Sequence, residues 1–216
     1  DRVLRHNLRN DMHVIRGRAD TIGVAAAGAT DGDAESSDDE FAETVAEHAE
    51  SILDKSDQLM ATVDKQRMIT DVLLDHPGQE PVEIDALLDR VVAAMSETYP
   101  DATIDVDCPD SLVAVASARI GRAIEELLDN AIQHNDRARP TVTITAEAER
   151  NHVRLVISDD GPEIPAMEQQ VGTRGARVDP LYHGSGLGLW LVYWIVTRSD
   201  GTVDFDVNEP RGNRVT

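Results

Sequence analysis

Apolar residues recur along the first 76 positions at the three- and four-residue spacing that gives a helix one oily face. On a helical wheel Leu4, Leu8, Met12, Ile15, Ala19 and Ile22 fall within about 80° of one another, a single stripe. Glycine and acidic residues interrupt the pattern from Gly28 to Asp39, and Ser37-x-x-Glu40 has the form of a capping box opening a second helix. Phe41, Val45, Ala49, Ile52, Leu59 and Val63 then make a second stripe. The two stripes predict an antiparallel helical hairpin. A hairpin is too thin to bury both faces, so dimerisation into a four-helix bundle is its expected completion.

His76-Pro77-Gly78 breaks the helix, and from about Pro81 the character becomes mixed α/β. Short strands are predicted near Val82–Ile84, Thr103–Asp107, Leu112–Val115, Thr141–Glu147, His152–Ser158, Thr202–Val207 and from Arg214. Helices are predicted over Asp85–Glu97, Ala118–His134 and Leu187–Arg198. The fold class is therefore α+β, with a helical domain at 1–76 and an α/β domain at 77–216. Five of the seven aromatics lie beyond position 180, which places the bulky core in the second domain.

Composition changes this picture in three ways. With 20 basic against 41 acidic residues the net charge is −21, so the long-range field repels phosphate backbones and argues against nucleic-acid binding. No run reaches the apolar length a membrane helix needs, and a single cysteine, Cys108, excludes an internal disulfide or a cysteine zinc cluster. The segment is thus expected to be cytoplasmic and free of membrane contact, a fragment of something longer that could itself be membrane-attached. Only Lys55 and Lys65 are lysines and neither follows a glycine turn, so a P-loop is excluded. An acidic, lysine-poor surface also suggests a salt-rich cytoplasm, where screening removes most self-repulsion.

Three segments could carry chemistry. Glu126, Asn130 and His134 share one face of a predicted helix, where a carboxylate and an amide oxygen one turn apart can hold a hydrated Mg²⁺. Asp159-Asp160-Gly161 ends an apolar strand, a position from which Asp159 can accept a hydrogen bond from an exocyclic amine such as that of adenine. Gly184-Ser185-Gly186-Leu187-Gly188 opens an apolar helix, and such a turn offers N–H groups and a positive helix end to an anion. Each segment alone also fits a solvated helix face or an ordinary turn. Their order and spacing, 29 residues and then 25, make chance assembly a poor explanation.

In that arrangement the chain resembles a sensor histidine kinase of two-component signalling, of the haloarchaeal type. Asn130 falls in the family's N box, Asp159 and Gly161 in its first glycine box, and Gly184, Gly186 and Gly188 in its second. The resemblance implies a Bergerat-type α/β sandwich that binds ATP and Mg²⁺, with Asn130 on the metal, Asp159 on adenine and residues 172–183 as a lid. It also implies a homodimer that hands a phosphoryl group to the receiver domain of a response regulator.

His6 lies on the wheel opposite the apolar stripe, so it is expected to be exposed, and a neutral imidazole can attack phosphorus near pH 7. The resemblance makes His6 the phosphoacceptor, with His13 the alternative on the same face. Asn7 stands where the family usually has an acid, and Asn10, one turn on, matches a position whose amide orients water for phosphatase activity. Glu126 stands where many relatives have Asn, Glu163 replaces a glycine, and Gln133 replaces a phosphate-contacting lysine. Arg174 and Arg177 in the lid are candidates for charge compensation. Arg2, Arg5, Arg9 and Arg16 make a basic flank suited to an acidic receiver. Two rivals remain: a non-catalytic ATP-binding dimer, motivated by Asn7 and Glu163, and an ATPase like the chaperone and mismatch-repair relatives of the same nucleotide fold.

Overall fold

The computed structural model describes residues 12–22, 38–74, 78–165 and 186–216. The chain forms two compact units, one built on residues up to Arg67 and the other on most of the chain from Met68 onward. A helical N-terminal part is followed by an α/β sandwich.

In the first unit, helix α1 (12–22) half-buries Ile15, Arg18 and Ile22, which share a face. Helix α2 (Asp38–Leu74) is 37 residues long. Arg18 Nη1 lies 2.9 Å from Nδ1 of His48 on α2. Guanidinium only donates, so Nδ1 accepts and the imidazole carries its proton on Nε2. Met12, Leu53, Met60 and Val63 are exposed, which leaves apolar surface uncovered on the single chain. Val63, expected within the second stripe, is 48% exposed.

The second unit holds β1 (Gln79–Glu83), α3 (Ile84–Thr98), β2 (Thr103–Asp107), β3 (Val113–Ser117), α4 (Ile120–Gln133), β4 (Thr141–Glu149), β5 (His152–Asp159), α5 (Gly186–Arg198), β6 (Phe205–Val207) and β7 (Asn213–Val215). Five strands form one sheet in the order β2-β4-β5-β7-β6, and β1 pairs with β3 in a separate ribbon. β2 runs parallel to β4, and the other pairs in the sheet are antiparallel.

Strict alternation explains the sheet's buried face. Val142, Ile144 and Ala146 of β4 point inward while Thr141, Thr143, Thr145 and Glu147 face out. They meet Leu87, Leu88 and Val91 of α3 and Ile124, Leu128 and Ile132 of α4 in one core. Ala123 of α4 packs with Leu191, Val192 and Ile195 of α5 in a second, against which Met68 and Ile69 at the end of α2 rest. Every strand and helix expected in the described part of this unit is present. β1 starts three residues earlier than expected because Gln79 already pairs with Ser117, whereas β6 starts at Phe205 rather than Thr202. No helix among the described residues is long and apolar enough to cross a membrane.

Candidate functional site

The C-terminal end of α4, the end of β5 and the start of β7 converge on a cavity of about 310 Å³. Asn130, His134, Asn135, Asp159, Gly161, Glu163 and Asn213 supply its polar lining, Glu163 being the residue that stands in place of a glycine, and Leu127, Ile157, Leu189 and Val215 supply apolar wall. A mostly apolar pocket with a few convergent polar groups has the make-up of a small-molecule site.

Asp159, the last residue of β5, is 7% exposed on this wall. Oδ1 accepts the Gly161 N–H at 2.8 Å, the Asn213 N–H at 3.2 Å and Asn213 Nδ2–H at 3.2 Å; Oδ2 accepts Asn213 Nδ2–H at 3.1 Å. Its carbonyl accepts Nδ2–H of Asn208 at 2.8 Å. At Gly212 the backbone has φ +118°, and a Cβ there would stand 1.9 Å from that carbonyl oxygen. Only glycine fits both the dihedral and the approach.

The neighbouring Asp160 faces the α4–β4 connection. Its Oδ1 accepts Asn135 Nδ2–H at 2.9 Å and the Thr141 N–H at 3.1 Å, and Oδ2 lies 3.2 Å from Arg137 Nε. Burial pushes its pKa up, but the Thr141 and Asn135 hydrogen bonds and the Arg137 charge outweigh that and hold the carboxyl below its usual range. Asn135, through this bond, ties the end of α4 to the Asp159 turn.

Asn130 projects from α4 into the cavity, and its Nδ2 is buried without a hydrogen-bond partner. A buried amide left unmatched is costly, and the two ends of an amide are interchangeable in assignment, so this side chain fits a ligand that takes either a donor or an acceptor. His134 caps the same helix, its N–H donating to Asn130 O at 3.2 Å, and reaches the cavity wall.

Glu126, expected as a metal ligand beside Asn130, lies one turn earlier on α4. It is 1% exposed, absent from the cavity lining, and packed under α5. A Cβ at Gly188 would stand 2.1 Å from its Oε1. Arg122 Nη2 lies 3.7 Å from Oε2. The i, i+4 spacing correctly put Glu126 and Asn130 on related faces of α4, but the packing of α4 on α5 claims the Glu126 turn first. Gly188 accordingly has a packing reason to lack a side chain, and Leu189, not Leu187 or Gly188, reaches the cavity. Gly186 begins α5. Gly184, Ser185, Arg174, Arg177, His6, Asn7 and Asn10 lie outside the described residues, as do Arg2, Arg5 and Arg9.

Behind the site, Tyr99 O–H donates to Asp129 Oδ1 at 2.5 Å and accepts Gln133 Nε2–H at 2.7 Å. Burial and the Asp129 carboxylate push the Tyr99 pKa up to about 12. Gln133, which stands where relatives often have a phosphate-contacting lysine, is held on the Tyr99 and Asp129 side of α4. Sequence reasoning missed Asn135, Asn208 and Asn213. A single asparagine after Gly212 carries no spacing signal, and only the pairing of β5 with β7 brings it to Asp159.

Residues 116–216 match the family described as histidine kinase-, DNA gyrase B-, and HSP90-like ATPases. Over a longer stretch, 140 residues are 31% identical to the signal transduction histidine-protein kinase/phosphatase MprB of Mycolicibacterium smegmatis, covering 62% of this chain and 28% of that protein. The chain thus spans less than a third of that relative's length. The ATP-binding domain of PrrB from Mycobacterium tuberculosis superposes with a TM-score of 0.52 at 27% identity, over 64% of this chain and 93% of that one. The histidine kinase AdeS of Acinetobacter baumannii gives a TM-score of 0.65 at 21% identity over 97% of this chain and 94% of that one. At that identity it speaks for the fold alone, helical part included. The two relatives compared at higher identity are mycobacterial, and they lend no support to the haloarchaeal likeness read from composition.

Proposed function

We propose that this chain is the kinase core of a two-component sensor, which binds ATP in the cavity between α4 and the ends of β5 and β7. The observation that carries the reading is the buried Nδ2 of Asn130, without a partner among the described residues, facing the same cavity as the Asp159 carboxylate, within a segment similar to histidine kinase-, DNA gyrase B-, and HSP90-like ATPases. Asp159 accepts from the adenine amine, and the apolar walls take the ring. Asn130 supplies an oxygen to Mg²⁺, which when bound offsets phosphate charge. The N–H groups of the turn at Gly184, Ser185 and Gly186 receive phosphate oxygens in place of a lysine.

His6 is the proposed acceptor. Its imidazole nitrogen forms a bond to the γ-phosphorus as the bond to the bridging oxygen of ADP breaks, and the ring N–H proton passes to solvent. An aspartate oxygen of a response regulator then takes the phosphoryl group and the nitrogen–phosphorus bond breaks. Asn10 orients water for the reverse, phosphatase duty, an activity that the MprB relative carries in its name. Exposed Leu53, Met60 and Val63 on α2 support a four-helix bundle between two copies, the apolar surface being buried on association. The active core is placed in the cytoplasm, where ATP is available.

Incubation with γ-labelled ATP and Mg²⁺ tests the reading. Acid-labile, base-stable label that disappears in His6→Gln is the expected result. ATP binding with no label would favour instead the non-catalytic dimer suggested by Asn7, and turnover without label would favour a plain ATPase.

A further inference from the structure

The Asp159 carboxylate has an uneven set of partners. Oδ1 takes three hydrogen bonds, from Gly161 N–H, Asn213 N–H and Asn213 Nδ2–H, whereas Oδ2 takes one among the described residues, from Asn213 Nδ2–H. The acceptor capacity left to this cavity-lining group is therefore on Oδ2. Asn213 itself cannot turn. Its Nδ2 also donates to Pro162 O at 2.8 Å and its Oδ1 accepts the Ile164 N–H at 2.7 Å. Rotating the amide by half a turn would set oxygen against the Pro162 carbonyl and Nδ2–H against the Ile164 N–H, two repulsive pairs, so the orientation is fixed by its surroundings. At 7% exposure it is as buried as Asp159.

We infer that Asn213 is the positioning residue that sets nucleobase selectivity: by spanning both oxygens of Asp159 it locks the carboxylate plane and keeps the group a pure acceptor. A pure acceptor attracts the 6-amino group of adenine and repels the 6-oxo group of hypoxanthine or guanine. The inference rests on the reading of the cavity as an ATP site, and Asn213 acts through Asp159 rather than on the base. Its amide is consumed within the protein, by Asp159, Pro162 and Ile164.

The test compares ATP with inosine triphosphate, whose base carries a 6-oxo acceptor and an N1–H donor where adenine carries a 6-amino donor and an N1 acceptor. Binding of both to the whole chain with Mg²⁺ is measured by calorimetry at pH 7, with thermal melting as the check on folding. Asn213→Asp places two carboxylates within hydrogen-bond distance. They share one proton, and Asp159 becomes able to donate to a 6-oxo group. The preference for ATP over inosine triphosphate should fall about ten- to a hundred-fold, with inosine triphosphate binding improved or unchanged. Asn213→Ser keeps the backbone N–H to Oδ1 but releases Oδ2, and a smaller loss of preference is expected. If Asn213→Asp does not fold, Asn213→Ser decides. Folded variants that keep the original ratio, or lose both nucleotides in equal proportion, overturn the role of Asn213 while leaving the ATP site standing. Failure of the unchanged chain to bind ATP overturns the ATP site and this inference together.

Discussion

Substituting alanine at Gly188 separates two jobs that a glycine at this place could do. The new methyl carbon would stand 2.1 Å from Glu126 Oε1, 2.9 Å from its Cδ and 3.1 Å from its Cγ. Three atoms of one side chain must move, and that side chain is 1% exposed between α4 and α5. Overpacking of this order costs about 1–3 kcal/mol. For a chain this long each kcal/mol lowers the melting temperature by roughly 2–4 °C, so a drop of roughly 2–12 °C is expected. Truncating the obstacle should rescue it: in a cycle with Glu126→Ala, the double variant should recover about 1–3 kcal/mol relative to additivity. Thermal and urea unfolding of the four proteins measure this. An unchanged melting temperature in Gly188→Ala, or strictly additive effects, would refute the packing role. Weaker ATP binding without any loss of stability would return Gly188 to the phosphate-contacting set.

Asn130→Asp should abolish labelling from γ-labelled ATP while size-exclusion chromatography still finds the same assembly; unchanged labelling would remove Asn130 from the site. Asp159→Asn should weaken ATP by about tenfold or more and GTP much less, because only the amine partner loses a charged acceptor, and equal losses would show that Asp159 does not read the base. Tyr99 supplies a prediction in alkali. A folded pKa raised to about 12 means that the phenol's stabilising contribution is complete below pH 10 and is lost as pH rises through about 12. Ultraviolet titration should show one tyrosine ionising late, absent in Tyr99→Phe, and a normal transition in the parent would contradict the Asp129 bond.

The second unit was legible because its signals are local. β4 reads as alternation in Thr141–Glu147, β5 as an apolar strand stopped by two acids and a glycine, and α5 as a continuous apolar run. These fixed the side of the sheet that faces α3 and α4, and hence the end at which Asn130 and Asp159 meet. What escaped was contact between distant segments. Asn213 reaches Asp159 across 54 residues and Asn208 reaches its carbonyl across 49. Periodicity holds no trace of either. Glu126 shows the same limit: helical spacing placed it one turn from Asn130, and spacing on one helix does not say which turn a neighbouring helix will cover.

The burial of Glu126 beside Gly188 bears on how an anion could be held in a chain of net charge −21. The start of α5 is the positive end of a 13-residue helix, and Glu126 sits beneath its first turn at Gly188. A carboxylate there stabilises the helix end but competes with any phosphate for the same field. Arg122 lies at 3.7 Å from Glu126 and 2.9 Å from Glu125, so part of the negative charge is offset within α4 itself. No lysine lines the described cavity. Affinity for the phosphates would come from backbone geometry, and selectivity for the base from the Asp159 and Asn213 pair at the opposite, sheet-anchored end. A site divided in this way tolerates an acidic surface, since neither half depends on a long-range attractive field.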